Sequence, residues 1–345
     1  MIGTRSIIGV CIFIAVGLLA STEPGHLVSG FHFGSELEEN INKFFGDDSS
    51  GASDDRSTSY ARQQTSSCGL APQNRYSGNN VTFMRSSIKP HLVAGWDEIH
   101  GEWPSFVLVT ALYGNVHVRC GGVILSESRV LTAAHCVFQQ GALLTHIDIH
   151  VGVHDSLSQD PNKKKYRADV ACMETGRTEE EAKFKNWALL RPRKPIKLNK
   201  YVQPACLPPG EYNEARNYKH CFFVGGGSRG RDPNNEHIWP RIIQTLPVKR
   251  APCRDPSETK YLGEEALACY ESTKGGRLAL GDAGGPVLCL DADTNKWTAV
   301  AMATNDSDGP RFGIFALTRA LQSQWESVSC IIPAGTRHHQ SVRAA

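Results

Sequence analysis

The sequence predicts an all-β fold, a barrel or a sandwich, on two observations. From about Leu92 onward, short apolar or alternating runs follow one another: Ser105 to Tyr113, Gly122 to Leu125, Ile147 to Val153, Trp297 to Ala303 and Phe312 to Leu317. Turn-forming residues separate many of these runs at short intervals, as the strands of a closed or stacked sheet require. Helical periodicity in this part is clearest in Arg319 to Val328, where Leu321 and Trp325 stand four apart.

The N-terminal part reads differently. Arg5 forms a short basic region, and Ile7 to Ala20 is almost wholly apolar over 14 residues, the length of a signal-peptide core rather than of a membrane span. Residues 1–20 are therefore expected to be a signal peptide, with the small residues Ala20 and Ser21 at its cleavage point and no membrane anchor elsewhere. Residues 21–67 are rich in Ser, Asp, Glu and Gly and bury too little apolar surface to offset their ordering entropy, so disorder is expected. Within them, Ser35 and Glu38 make a capping box, Leu37, Ile41 and Phe44 share a face, and Gly46 suits a helix end. A short amphipathic helix is expected there.

Composition sets further limits. The chain has 345 residues, 40% of them hydrophobic, enough for a large β domain plus an extension. A net charge of +2 implies no nucleic-acid partner, although a local basic patch is compatible with it. Removing the leader takes Cys11 from the 11 cysteines and leaves an even number, as an oxidised secreted protein would have.

Three segments carry a specific resemblance. Thr132-Ala133-Ala134-His135-Cys136 resembles TAAHC, Asn186-Trp187-Ala188-Leu189-Leu190 resembles DIALL, and Gly281-Asp282-Ala283-Gly284-Gly285-Pro286 resembles GDSGGP. These are the histidine, aspartate and serine motifs of the trypsin/chymotrypsin-like serine proteases, in their order and at about their spacing. Leu92-Val93-Ala94-Gly95 is similar to the IVGG start of the mature domain, and Gln203 to Pro208 to a segment midway along it.

The resemblance implies two packed six-stranded antiparallel β-barrels with a C-terminal helix, behind a largely disordered N-terminal extension. The protease-like domain would span 92–331, with a light-chain-like linker at 68–91 tethered through Cys68 and a flexible tail at 332–345. It also implies the disulfides Cys120–Cys136, Cys221–Cys289, Cys253–Cys269 and Cys68–Cys206, which leaves Cys172 and Cys330 to pair by elimination. The family's bridge beside the nucleophile is missing, since Ala279 stands at one of its positions.

The chemistry expected of such a triad needs a serine hydroxyl to attack, a histidine to take its proton and a carboxylate to orient the imidazole. Here His135 is kept, but Asn186 replaces the carboxylate and Ala283 the nucleophile. Gly281 and Ala283 would still present backbone N–H groups at the oxyanion position, where the glycine also serves the tight turn. By the resemblance, Arg277 stands at the floor of the specificity pocket, repelling Lys or Arg and filling space, and Thr304, Asn305 and Asp306 form its wall. Asn80 and Asn305 each begin a glycosylation sequon. A glycan on Asn305 would cap the cleft. Family zymogens are cut after a basic residue to free an amine for the aspartate at Asp282, but here the cut would follow His91, and no cleavage is expected.

Two other clusters need a reading. His146, Asp148, His150 and His154 alternate with apolar residues and would share one strand face. His146 and His150 would lie about 13–14 Å apart, too far to chelate one ion, so a solvated face and no metal are expected. Lys163, Lys164 and Lys165 read as an exposed loop, or as a recognition patch for anionic glycans.

The sequence thus predicts a secreted, catalytically inactive serine protease homolog without cofactors. It would act by binding an extracellular protein, an active protease or its substrate, as a cofactor, decoy or regulator in an immune, developmental or reproductive pathway. The alternatives are an active hydrolase with a relocated nucleophile that still uses His135, and a lectin-like or adhesive module.

Overall fold

Alternation along the strands decides which sheet faces meet. A computed structural model describes residues 68–76, 96–139, 141–175, 185–208, 218–252, 267–304, 314–318 and 321. The first half of these residues supplies β1 (Trp96–Asp97), β2 (Phe106–Tyr113), β3 (Val116–Ser126), β4 (Arg129–Thr132), β5 (Leu144–Val151), β6 (Lys164–Thr175) and β7 (Asn186–Pro192). The second half supplies β8 (Tyr218–Gly225), β9 (Gln244–Ala251), β10 (Leu267–Ser272), β11 (Pro286–Asp291), β12 (Trp297–Ala303) and β13 (Ile314–Leu317).

Strands β2 to β7 close an antiparallel barrel in the order β2-β3-β4-β7-β6-β5. By the strand register Val107, Val130, Ile147, Ile149 and Leu190 share one of its faces, each at most 1% exposed, while Leu131 and Trp187, as deeply buried, belong to the other. Full burial of one such aliphatic side chain contributes about 1.5–3 kcal/mol.

The remaining strands form a seven-stranded sheet, β1-β9-β10-β13-β12-β11-β8, in which β8 also pairs with β9 and so curls the sheet back on itself. In β11, Val287 and Cys289 belong to the interior of this sheet, whereas Leu288 and Leu290 join the core that contains the first barrel. Phe223 and its neighbours Phe222 and Val224 divide in the same way. A period of two therefore gives the sheet an inward face and a face against the barrel. The expected two-barrel architecture is met as one closed barrel and this second, curled sheet.

An aromatic cluster closes the seam. The Trp103 ring lies 4.9 Å from Trp297 and 5.4 Å from Phe222, and its Nε1 donates to Thr245 Oγ1 at 2.8 Å. Residues 68–76 fasten here as well. Arg75 donates twice to the buried Glu102 carboxylate, at 2.5 and 2.9 Å, and Cys68 is bridged to Cys206. Cys120–Cys136 and Cys221–Cys289 are also formed. Cys172 and Cys269 are disulfide-bonded too; their expected partners, Cys330 and Cys253, lie outside the described residues.

The histidine run departs from its expectation. Gly152, at φ +62°, ends the alternation, and His154 leaves the face of His146, Asp148 and His150 to meet Glu98, Nδ1 to Oε1, at 3.1 Å. Nor is that face simply solvated. Asp148 is 5% exposed, with Arg167, Lys165 and His146 at 2.9, 3.5 and 3.6 Å. His150, whose Nε2 lies 3.0 Å from Thr110 Oγ1, is pushed down to about 4 by burial, only partly opposed by Asp148.

The leader, the helix expected near 35–46, the sequon at Asn80 and the junction at His91 lie outside the described residues. So does the expected C-terminal helix, except for Leu321, which is fully buried. No helix among the described residues is long and apolar enough to cross a membrane.

Candidate functional site

Three segments converge at the seam between the barrel and the second sheet. Strand β4 runs out at Thr132, and a single 3-10 turn over Ala134–Cys136 carries His135. Asn186 begins β7, and the turn 281–285 leads into β11. Glycines allow the close approach. A Cβ on Gly121 would lie 2.7 Å from the backbone of Gly285, and one on Gly284 would meet Thr132 Oγ1 at 2.5 Å and Ala133 N at 3.0 Å. Gly121 N donates to Ala283 O at 2.8 Å, and Gly284 N donates to Ala303 O at 2.8 Å.

Asn186 is held at both ends of its amide. Its Oδ1 accepts from the backbone N–H of His135 at 3.0 Å, and its Nδ2 donates to the carbonyl of Thr304 at 2.6 Å. These two bonds fix which end is oxygen and which is nitrogen. Nδ2 then has one proton left, and it faces His135 Nδ1 at 2.9 Å, while Oδ1 lies farther off at 3.3 Å. The imidazole therefore accepts at Nδ1 and carries its proton on Nε2. On the other side, Nε2 lies 3.8 Å from Cys136 Sγ, a disulfide sulfur that can only accept. Both contacts favour the same tautomer, and in it Nε2 has no lone pair with which to take a proton from a nucleophile.

Ala283 is fully buried in the turn where the sequence places it. Asp282 shapes that turn. Its Oδ1 accepts from Gly227 N at 2.8 Å and its Oδ2 from Ala279 N at 2.9 Å. Gly281 takes φ +93°, open to glycine alone without strain. A Cβ there would meet Trp239 Cζ3 at 2.7 Å, so the indole lies directly on this glycine. The guanidinium of Arg119 sits 5.0 Å from the Trp239 ring centroid. Burial lowers its pKa, against the opposing charge of Asp282. Leu280, 45% exposed, and Ile238, 44% exposed, flank the same turn through Ser228, whose N–H donates to Leu280 O and whose Oγ lies within reach of Ile238 O.

Trp239 and Arg119 are the residues that sequence reasoning missed. Neither belongs to a motif, and each reaches the turn only through a strand partner or loop distant in the chain. The local signal for Trp239, an apolar pair in the polar run after Gly230, says only that something covers it.

The other expected positions divide. Thr304 is buried beside Asn186. Arg277 is exposed, so its side chain does not fill a buried cavity; the adjacent Leu278, fully buried, packs into the interior of the second sheet. Asn305 and Asp306 lie outside the described residues. Among the described residues one group of three metal-ligand types comes together, Cys120, His135 and Cys136, and its two sulfurs are bonded to each other. A family model described as Trypsin matches residues 93–322, the stretch that contains all of these elements.

Proposed function

The chain belongs to the trypsin family, and from that premise we propose that it is a secreted member that has given up catalysis and acts by binding. The observation that carries this reading is the methyl group of Ala283 in a turn that otherwise stands complete. A methyl group has no lone pair and forms no acyl-enzyme. Removing the nucleophile from such a triad lowers the rate by about 10⁶, and further losses within it add little. The tautomer set by Asn186 supports the same reading, because His135 then offers no lone pair at Nε2 to take a proton from a nucleophile.

Arg277, at the position of the pocket floor, would repel a basic substrate side chain. Asn305, if it carries a glycan, would close the pocket wall formed with Thr304 and Asp306. The proposed partner is an extracellular protein, an active protease or its substrate, and the role is that of cofactor, decoy or regulator in a proteolytic pathway. The apolar leader and the disulfides support secretion.

The test is a serine-reactive fluorophosphonate probe applied to the native protein. No specific, saturable labelling is expected. Labelling that a competing inhibitor displaces would overturn the proposal in favour of a relocated nucleophile.

A further inference from the structure

The β6–β7 pairing joins two basic segments that lie apart in the sequence. The first is Lys163-Lys164-Lys165-Tyr166-Arg167, and the second runs from Arg191 to Lys200, with five basic residues in ten positions and no acid. Ala168 stands opposite Pro192 and Asp169 opposite Arg191 in the register. Past the paired strands, Arg193 N donates to Arg167 O at 2.8 Å and Lys197 N donates to Tyr166 Oη at 3.0 Å. The two segments therefore meet where Arg193 lies beside Arg167, and the second segment then passes the tip of the Tyr166 side chain.

Most of these cations reach water. Lys164, Lys165, Arg193, Lys194, Lys197 and Lys200 are exposed. Lys163 is not counted with them, because its Nζ turns back to donate to Ser156 O at 2.6 Å. Among the described residues, three carboxylates stand on or beside these exposed cations. Asp148 is buried and shared among His146, Lys165 and Arg167, Asp169 pairs with Arg193 at 2.9 Å, and Glu127 lies at the edge beside Ile196. Three acids do not neutralise the exposed lysines and arginines, so the surface is locally cationic in a chain whose net charge is only +2.

From this juxtaposition we infer that the β6–β7 face is a binding surface for a sulfated polysaccharide chain. The surface offers long, exposed cations from both segments. Its larger apolar side chains pack inward, Ile196 being 1% exposed and Tyr166 and Leu198 partly buried against the core, so it offers little of the aromatic or aliphatic anchor that a folded protein partner would need. A linear polyanion needs no anchor, since charge neutralisation with release of counterions drives its binding. The disulfides place the chain in an oxidising compartment, where sulfated glycans rather than nucleic acids are the abundant polyanions. This inference does not rest on the loss of catalysis.

The experiment uses the full-length secreted chain on immobilised heparin, with a size-defined heparin oligosaccharide as the soluble competitor. Retention at about 0.15 M salt is expected. Four engaged cations would weaken binding about a hundredfold between 50 and 200 mM salt. The double variant Lys164→Glu with Lys194→Glu should elute at clearly lower salt. The control Lys219→Glu with Lys274→Glu, which makes the same change in net charge on exposed positions of the second half, should not move. Acetylation footprinting of the wild-type protein serves where a variant fails to fold: heparin should protect Lys164, Lys165, Lys194 and Lys197 and leave Lys219 and Lys274 reactive. Flow-through at that salt, equal shifts for both double variants, or uniform lysine reactivity would overturn the inference. So would displacement by single-stranded DNA or polyglutamate as effective, charge for charge, as by heparin.

Discussion

The Nδ2 of Asn186 lies 2.9 Å from the Nδ1 of His135, a donor set against the ring nitrogen that a carboxylate partner would require to be a donor itself. The replacement is nearly isosteric, so the geometry is kept while the proton moves to the far side of the ring.

Asn186→Asp is therefore expected to return the proton to Nδ1. Long-range ¹H–¹⁵N correlation at neutral pH should find His135 protonated at Nε2 in the wild-type chain and at Nδ1 in the variant. The same tautomer in both proteins would contradict the assignment of hydrogen bonds around Asn186.

Rebuilding the triad should not restore trypsin-like cleavage. Ala283→Ser combined with Asn186→Asp supplies nucleophile and carboxylate, yet Arg277 would still oppose a Lys or Arg substrate side chain. No turnover of such peptides above background is expected. Robust cleavage after Arg or Lys would show that Arg277, which is exposed, leaves the pocket open.

Gly121→Ala should destabilise the fold by about 1–3 kcal/mol, because its methyl group meets the backbone of Gly285, which has no side chain to move aside. Denaturant midpoints of the two proteins measure this. An unchanged midpoint would mean that the seam between the two halves is looser than the Gly121–Gly285 contact implies.

Stability should fall with acidity through His150. An imidazole held at about 4 in the folded chain, against 6.5 for the free group, binds fewer protons folded than unfolded. Its contribution is complete above about pH 6.5 and is lost as the pH falls toward 4. His150→Gln, which can still bond Thr110, should flatten the pH dependence of the urea midpoint over that window. Equal slopes would show that burial does not govern this histidine.

The positions of His135, Asn186 and Ala283 were legible because each sits in a contiguous motif whose neighbours make the turn or strand that presents it. Ala133 and Cys136 frame His135, and Gly281 and Gly284 frame Ala283. What the chain did not disclose depends on partners from elsewhere. Alternation alone marked Asp148 as solvated, whereas Lys165 and Arg167 of the neighbouring strand cover it. Gly152 was the available sign that His154 would leave the strand face. The β6–β7 surface was half visible as a lysine run, since its other half enters only through the strand register.

The turn that holds Ala283 is fastened by main-chain groups and by the carboxylate of Asp282, and none of those bonds involves the side chain at 283. Reactivity at that position can therefore be removed without a mechanical penalty. In the proposed role the molecule is a stoichiometric agent: its influence is set by how many copies are present, saturates when partners are occupied, and gains nothing from longer exposure.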